Sequence, residues 1–266
     1  MTRQLRVSPQ ALAKRRFLRG AAVAGSGLLL GGCDRLVANE TFAKVLSTGE
    51  ALSRGVRDVV GHGPVTMAQE FGREDLSPSF RGNGNTDPAD AAYKALAADG
   101  FATWQLVVNG LVQAPAALSL AALRAMPSRT QITRHDCVEG WSAIGQWKGV
   151  PLAQVMAVVK PMPNARYVVF HCADAMDEGT PDATPYYESI DLQDAYHPQT
   201  LLAYELNGAK LPVTNGAPLR LRVERQLGYK HAKYLMRLEL VESFAEIGQG
   251  HGGYWEDQGY QWYAGI

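Results

Sequence analysis

The chain has 266 residues, 46% of them hydrophobic, with 26 basic and 26 acidic side chains and three cysteines. Balanced charge excludes the basic face that a nucleic-acid partner requires, and three cysteines are too few for a disulfide framework. No internal repeat, low-complexity block or Gly-rich phosphate loop of the Rossmann or Walker type occurs.

Residues 1–19 carry six basic side chains (Arg3, Arg6, Lys14, Arg15, Arg16, Arg19) and no acid. An apolar stretch from Gly20 to Gly32 follows and ends at Cys33. Its length suits a signal h-region and is too short to span a bilayer. Lys14-Arg15-Arg16-Phe17-Leu18-Arg19 resembles a twin-arginine signal, with Lys14 in the first arginine position. Leu30-Gly31-Gly32-Cys33 resembles a lipobox, in which Cys33 would be cleaved to the N-terminus and acylated; the alternative is cleavage near Cys33 without a lipid. Export to the periplasm in folded form is expected. Without this segment the chain keeps 20 basic and 26 acidic residues, a net charge of −6.

Residues 34–74 read as an arm with a short helix near Glu40–Leu52, and residues 75–266 as one domain. Gly, Asp and Ser around Asp75–Asp90 predict extended chain. Trp104–Val108, Asn109-Gly110 and Leu111-Val112 predict a hairpin, because Asn-Gly accepts the positive φ values of a type I′ turn. Ser119 caps a short helix ending before Pro127. Gln131–Val138 reads as a strand with Cys137 near its end. Pro151 opens a helix whose Leu152, Val155 and Met156 recur at helical spacing, and Ala165–Cys172 is a further strand. Leu201–Leu206 runs into a second Asn-Gly turn, Asn207-Gly208. Leu219, Leu221 and Val223 alternate with Arg220, Arg222 and Glu224, predicting a strand with one buried face. Leu235–Val241 repeats that pattern. Many short strands and few helices predict a mixed, β-rich α+β fold in a single domain.

The most informative segment is His135-Asp136-Cys137-Val138-Glu139-Gly140-Trp141-Ser142. A lone thiol there can act as a nucleophile, pack as a small hydrophobe, or supply one thiolate to a soft metal. His135, two positions away, would share a strand face with Cys137 and could serve as its base. Cys137 and Cys172 could also pair in an oxidising compartment. An export signal for folded proteins favours the metal.

Five segments then share one order: CVEGWS (137–142) with Trp147-x-Gly149-Val150-Pro151-Leu152; Tyr187-Glu188-Ser189-Ile190-Asp191-Leu192; His197-Pro198-Gln199-Thr200; Asn215-Gly216-Ala217-Pro218-Leu219-Arg220; and Gly228-Tyr229-Lys230-x-x-Lys233. Together they resemble the molybdopterin-binding oxidoreductases of the sulfite oxidase superfamily, especially the bacterial exported branch, over residues 75–266. The resemblance implies a buried molybdopterin, with molybdenum bound by the dithiolene and by the Cys137 thiolate, a soft ligand suited to a sulfur-bound metal. It further implies cofactor contacts from Asn83 (or its neighbour Asn85), Cys172, Asn215, Arg220, the backbone around His231 and Ala232, and Lys233. Arg suits a phosphate because its guanidinium forks onto two oxygens. Tyr260, in the aromatic tail 252–263, resembles a tyrosine that hydrogen-bonds near the metal-oxo group, while density of aromatics predicts a tail docked over the core.

Sulfite oxidases carry arginines after the ligand cysteine, and Val138–Ser142 contain none. The resemblance therefore points toward relatives that reduce sulfoxides or other oxo-compounds on a small-molecule substrate. Without a CxxCH haem motif, electrons would pass through a separate membrane cytochrome or quinone-linked partner. Two other readings remain from the sequence: a cofactor-free exported binding module, and a cysteine hydrolase using Cys137 and His135.

Overall fold

The computed structural model describes residues 66–180 and 183–266, with Leu52 and Gly55 before them. The chain divides into units 1–61 and 62–266. The signal, Cys33 and the helix expected near Glu40–Leu52, apart from Leu52 itself, lie outside the described residues.

The second unit carries two five-stranded sheets and short helices. In chain order the elements are α1 (Ala91–Ala98), β1 (Gln105–Gly110), β2 (Ala116–Ser119), α2 (Leu120–Ala125), β3 (Arg129–Asp136), β4 (Ser142–Pro151) and α3 (Leu152–Val159). β5 (Tyr167–Ala175), β6 (Pro185–Asp191), α4 (Leu192–Ala195), β7 (Leu201–Leu206), β8 (Ala209–Lys210), β9 (Arg220–Arg222), β10 (Leu235–Val241) and α5 (Tyr254–Asp257) follow. One sheet has the order β2-β1-β10-β5-β6, with β1 and β10 parallel. The other runs β3-β4-β7-β8, with β9 also paired to β7. This is the mixed, β-rich α+β fold expected from the pattern of short strands.

Local chemistry explains most elements. The Ser119 side chain accepts from the N–H of Ala122 and caps α2, which stops before Pro127. Pro151 ends β4 and caps α3, whose Leu152, Val155, Met156 and Val159 are buried. Asn207 and Gly208 hold φ values of 52° and 81°, the type I′ geometry that joins β7 to β8.

The first Asn-Gly pair behaves differently. β1 continues through Asn109 and Gly110, and the turn to β2 falls between Leu111 and Pro115. Gly110 has φ 82° because β10 passes close: a Cβ there would stand 2.3 Å from the Leu240 carbonyl oxygen. Parallel pairing with β10 has overridden the local turn signal.

The alternation in 219–224 also misleads. Leu219, Leu221 and Val223 are buried as expected, but Arg220 and Arg222 are fully buried and Glu224 nearly so, so both faces of β9 are covered. Trp147 supplies the covering surface, with the two guanidinium carbons 5.0 and 4.4 Å from its ring centroid. Glu224 takes two hydrogen bonds from Arg222, at 2.9 and 2.5 Å.

Extended chain at 66–90 is tied across sheet edges. The amide of Gln199 exchanges hydrogen bonds with the backbone of Ala68 at 2.7 and 3.0 Å. The Phe71 N–H donates to Ile132 and the Ser77 N–H to Ile144. These ties carry residues 83–85 to the site.

Candidate active site

Cys137 sits in the turn between β3 and β4, one residue past the strand end. Its N–H donates to the Trp141 carbonyl at 2.9 Å, and its carbonyl accepts from Gly140 at 3.0 Å. Gly140 supplies the φ of 84° that closes this turn. The strand register, Asp136 opposite Ser142, therefore sets where the sulfur points. Cys137 and Cys172 are both free thiols, so the alternative of a disulfide between them is not realised.

The sulfur borders a cleft of about 690 Å³, its open mouth included. Four parts of the chain converge on it: Asn83–Asn85, the Cys137 turn, the end of β5 with β6, and residues 228–233 with the tail. Of the expected residues, Asn83 and its alternative Asn85, Cys137, His231, Lys233 and Tyr260 line the cleft. The others stand behind the wall.

Lys233 donates to the carbonyls of Asn83 and Asn85, joining the arm to the loop before β10. The Asn85 side chain is committed, donating to Ala175 and accepting from the Asp87 N–H. The Asn83 side-chain amide makes no hydrogen bond among the described residues, which distinguishes it from the alternative counterpart Asn85. Arg220 donates to the carbonyls of Asn215 at 3.0 Å and His231 at 3.5 Å, bracing the backbone that forms the wall. Asn215 reaches the Phe80 carbonyl at 3.4 Å. Ala232 accepts from Leu221. Cys172 is a core residue, its thiol pushed well above the ordinary range by burial.

Two buried polar atoms in this lining lack partners: His231 Nδ1 and Asp174 Oδ1. Burial lowers the His231 pKa well below the usual imidazole value, helped by Arg222. Burial likewise raises Asp174 to about 7, against the pull of Lys233, while desolvation and Arg220 lower Lys233 to about 8. Burial also raises the Cys137 thiol, so the protein alone does not make it a thiolate. His135 is not poised to help. Its Nδ1 faces the Arg222 guanidinium at 3.0 Å, and among the described residues no hydrogen bond joins it to Cys137.

Asp174, Tyr186, Tyr229 and Met176 also line the cleft and were not singled out in the sequence. A signal existed for Asp174: it lies two residues after Cys172 on β5 and shares its face. Neither Arg81 nor Arg134 lines the cleft. Arg81 stacks on Trp141 and pairs with Glu139 at 3.5 Å; Arg134 pairs with Asp136 at 2.9 Å.

Residues 93–246 match the family described as the oxidoreductase molybdopterin binding domain, more than half of the chain. The chain belongs to that family. Its cofactor is molybdopterin with molybdenum, its enzyme class is oxidoreductase, and its superfamily is that of sulfite oxidase.

Similar proteins include a putative protein-methionine-sulfoxide reductase subunit YedZ1 from Azospira oryzae, 44% identical over 62% of this chain and 56% of its own length. A protein-methionine-sulfoxide reductase catalytic subunit MsrP from Xanthomonas axonopodis pv. citri is 38% identical over 62% of this chain and 52% of that protein. The chain thus spans about half the length of the curated relatives it matches. Among solved structures, the sulfane dehydrogenase SoxCD from Paracoccus pantotrophus matches with a TM-score of 0.47 and 21% identity, over 53% of this chain and 39% of that one.

The molybdopterin family domain has a lining that fits its cofactor. An unpartnered imidazole nitrogen and an unpartnered carboxyl oxygen suit the N–H groups of a pterin. The free Asn83 amide and the Lys233 ammonium stand on the same wall. The Cys137 thiol, protonated without a metal, is of the type a soft metal deprotonates on binding.

Proposed function

We propose that the chain is an exported molybdopterin oxidoreductase that reduces a sulfoxide or similar oxo-compound, with Cys137 as the protein ligand to molybdenum. The observation that carries this reading is the position of Cys137: it lines the same cleft as Asn83, Asp174, His231 and Lys233. When bound, the cofactor supplies the two-electron exchange between Mo(VI) and Mo(IV) and accepts or donates the oxygen atom.

The chain's own groups do the rest. Asn83, Lys233 and the backbone at 231–233, braced by Arg220 and Asn215, would hold and orient the pterin. Asp174, its carboxyl raised to about 7 by burial, would accept a pterin N–H at Oδ1. Trp255, Tyr229, Tyr260 and Met176 give the cleft an aromatic and thioether wall suited to a small sulfur compound. Tyr260 would orient the substrate oxygen. Similarity to methionine sulfoxide reductase subunits supports the substrate class, and a membrane haem or quinone-linked protein would supply electrons. The twin-arginine-like signal supports a periplasmic location, with Cys33 as a candidate lipid site.

Protein purified from its native export route should contain about one molybdenum per chain and reduce methionine sulfoxide with a reduced viologen dye. Cys137→Ala should keep the fold and lose that turnover. Metal-free protein from a host that makes the cofactor would favour a binding module. Metal-free activity destroyed by alkylation would favour the cysteine hydrolase. Turnover retained in the Cys137→Ala variant would contradict the ligand assignment.

A further inference from the structure

Behind the aromatic wall of the cleft, three charged side chains are buried together: Glu188 on β6, Lys230 in the turn at 228–230, and Glu256 on α5. Their side chains are at most 1% exposed. Lys230 Nζ lies 2.5 Å from Glu188 Oε2 and also donates to Glu256 Oε1. One ammonium facing two carboxylates leaves an excess negative charge where water cannot reach it.

The two remaining oxygens show how this is resolved. Glu188 Oε1 and Glu256 Oε2 have no hydrogen-bond donor in the protein. Yet they crowd one spot, 2.6 and 2.1 Å from where a Cβ on Gly253 would stand. One proton between two such acceptors satisfies both as a carboxylic acid–carboxylate hydrogen bond. Burial, with Glu256 adding to it, holds the Glu188 carboxyl well above the usual range, the direction that a shared proton requires. The other titratable groups facing the pair are Tyr186 and Tyr187 on β6 and Cys172 on β5, all neutral.

We propose that Glu256 is a positioning residue: its bridge to Lys230 and Glu188 holds α5 so that Trp255 and Tyr260 form the substrate-facing wall. Tyr260 has little support of its own. It stacks on Trp255 at 5.2 Å, meets Tyr229 edge-on at 5.3 Å, and donates its N–H to the Trp255 carbonyl at 2.9 Å. Trp255 is carried by α5. Tyr254, packed in the core against Tyr186, and Asp257 also attach α5, to Asp177 and Tyr187, but Glu256 alone of its four residues reaches the buried ammonium. The inference rests on the reading of the cleft as the catalytic site.

The test uses cofactor-loaded protein carrying Glu256→Ala or Glu256→Gln, with hydrogen exchange read at residues 254–260. Glu256→Ala should raise exchange at the Asp257 and Tyr260 amides by about tenfold or more as local opening becomes easier. It should raise KM for methionine sulfoxide by about tenfold, with kcat and molybdenum content little changed. Glu256→Gln should restore both, because its carbonyl accepts from Lys230 and its amide donates to Glu188. The native tail should loosen as the shared proton is lost at alkaline pH, and Glu256→Gln should remove that response, since no shared proton is then needed. Unchanged protection of 254–260 in Glu256→Ala, or the same alkaline loosening in Glu256→Gln, overturns the inference. If Glu256→Ala fails to fold, the Gln variant decides alone. Native protein that holds molybdenum but does not reduce sulfoxides defeats the proposed substrate and leaves the exchange test intact.

Discussion

His231 donates its Nε2–H to the Gln226 carbonyl at 3.0 Å, which leaves Nδ1 as a bare lone pair in the wall of the cleft. The tautomer is therefore fixed by the protein before any ligand arrives, and the ring is neutral because burial suppresses its protonation. His231→Phe removes an acceptor, and at ~1 kcal/mol per hydrogen bond the cofactor should dissociate about fivefold faster. His231→Asn, whose Oδ1 overlays Nδ1, should retain it better. Pterin released per chain after timed dialysis checks both.

The raised pKa of Cys137 predicts slow alkylation in cofactor-free protein. At neutral pH the sulfur is a thiol, so its rate with iodoacetamide should rise across the alkaline range and lag a free cysteine peptide at every neutral pH. Loading with molybdenum cofactor should abolish the reaction. Fast neutral alkylation would show that the protein itself activates this sulfur.

Asp174 and Lys233 give opposite pH signatures in cofactor-free protein. Asp174 moves from its ordinary 3.8 to about 7, so the folded chain holds this proton more tightly than the unfolded one. Stability from this residue is present at low pH and is lost between about 4 and 7. Lys233 moves from 10.5 down to about 8, so stability returns as pH rises from about 8 to 10.5. Asp174→Asn should flatten the acid-side decline in urea midpoint and, by removing the carboxylate that helps Lys233 keep its proton, start the alkaline rise at lower pH.

Arg222 is enclosed by Trp147, His135 and Glu224. Arg222→Met roughly keeps the volume and leaves the Glu224 carboxylate buried with Gln131 as its one side-chain donor among the described residues. Breaking one side of such a pair costs roughly 3–5 kcal/mol. The double change Arg222→Met, Glu224→Gln should recover much of that loss in denaturant unfolding.

The sequence was informative where local chemistry and final structure agree. Ser119 capping α2, the apolar stripe of α3 and the Asn207-Gly208 turn were all readable because each depends on neighbours a few residues away. Asn109-Gly110 was misread because β10, some 130 positions later, claims β1 as a parallel partner. Arg220 and Arg222 were misread as an open face because their cover, Trp147, belongs to another strand. Cys137 was legible from its flanking motif, while Asp174 and the charges at 188, 230 and 256 become recognisable only when folding brings them together.

Lys233 ties its own loop to residues 83 and 85, and the aromatic wall comes from residues 255 and 260. The pocket is therefore assembled from both flanks of the domain. A cut between Val241 and Tyr254 would leave all ten strands in place and the receptacle open on one side.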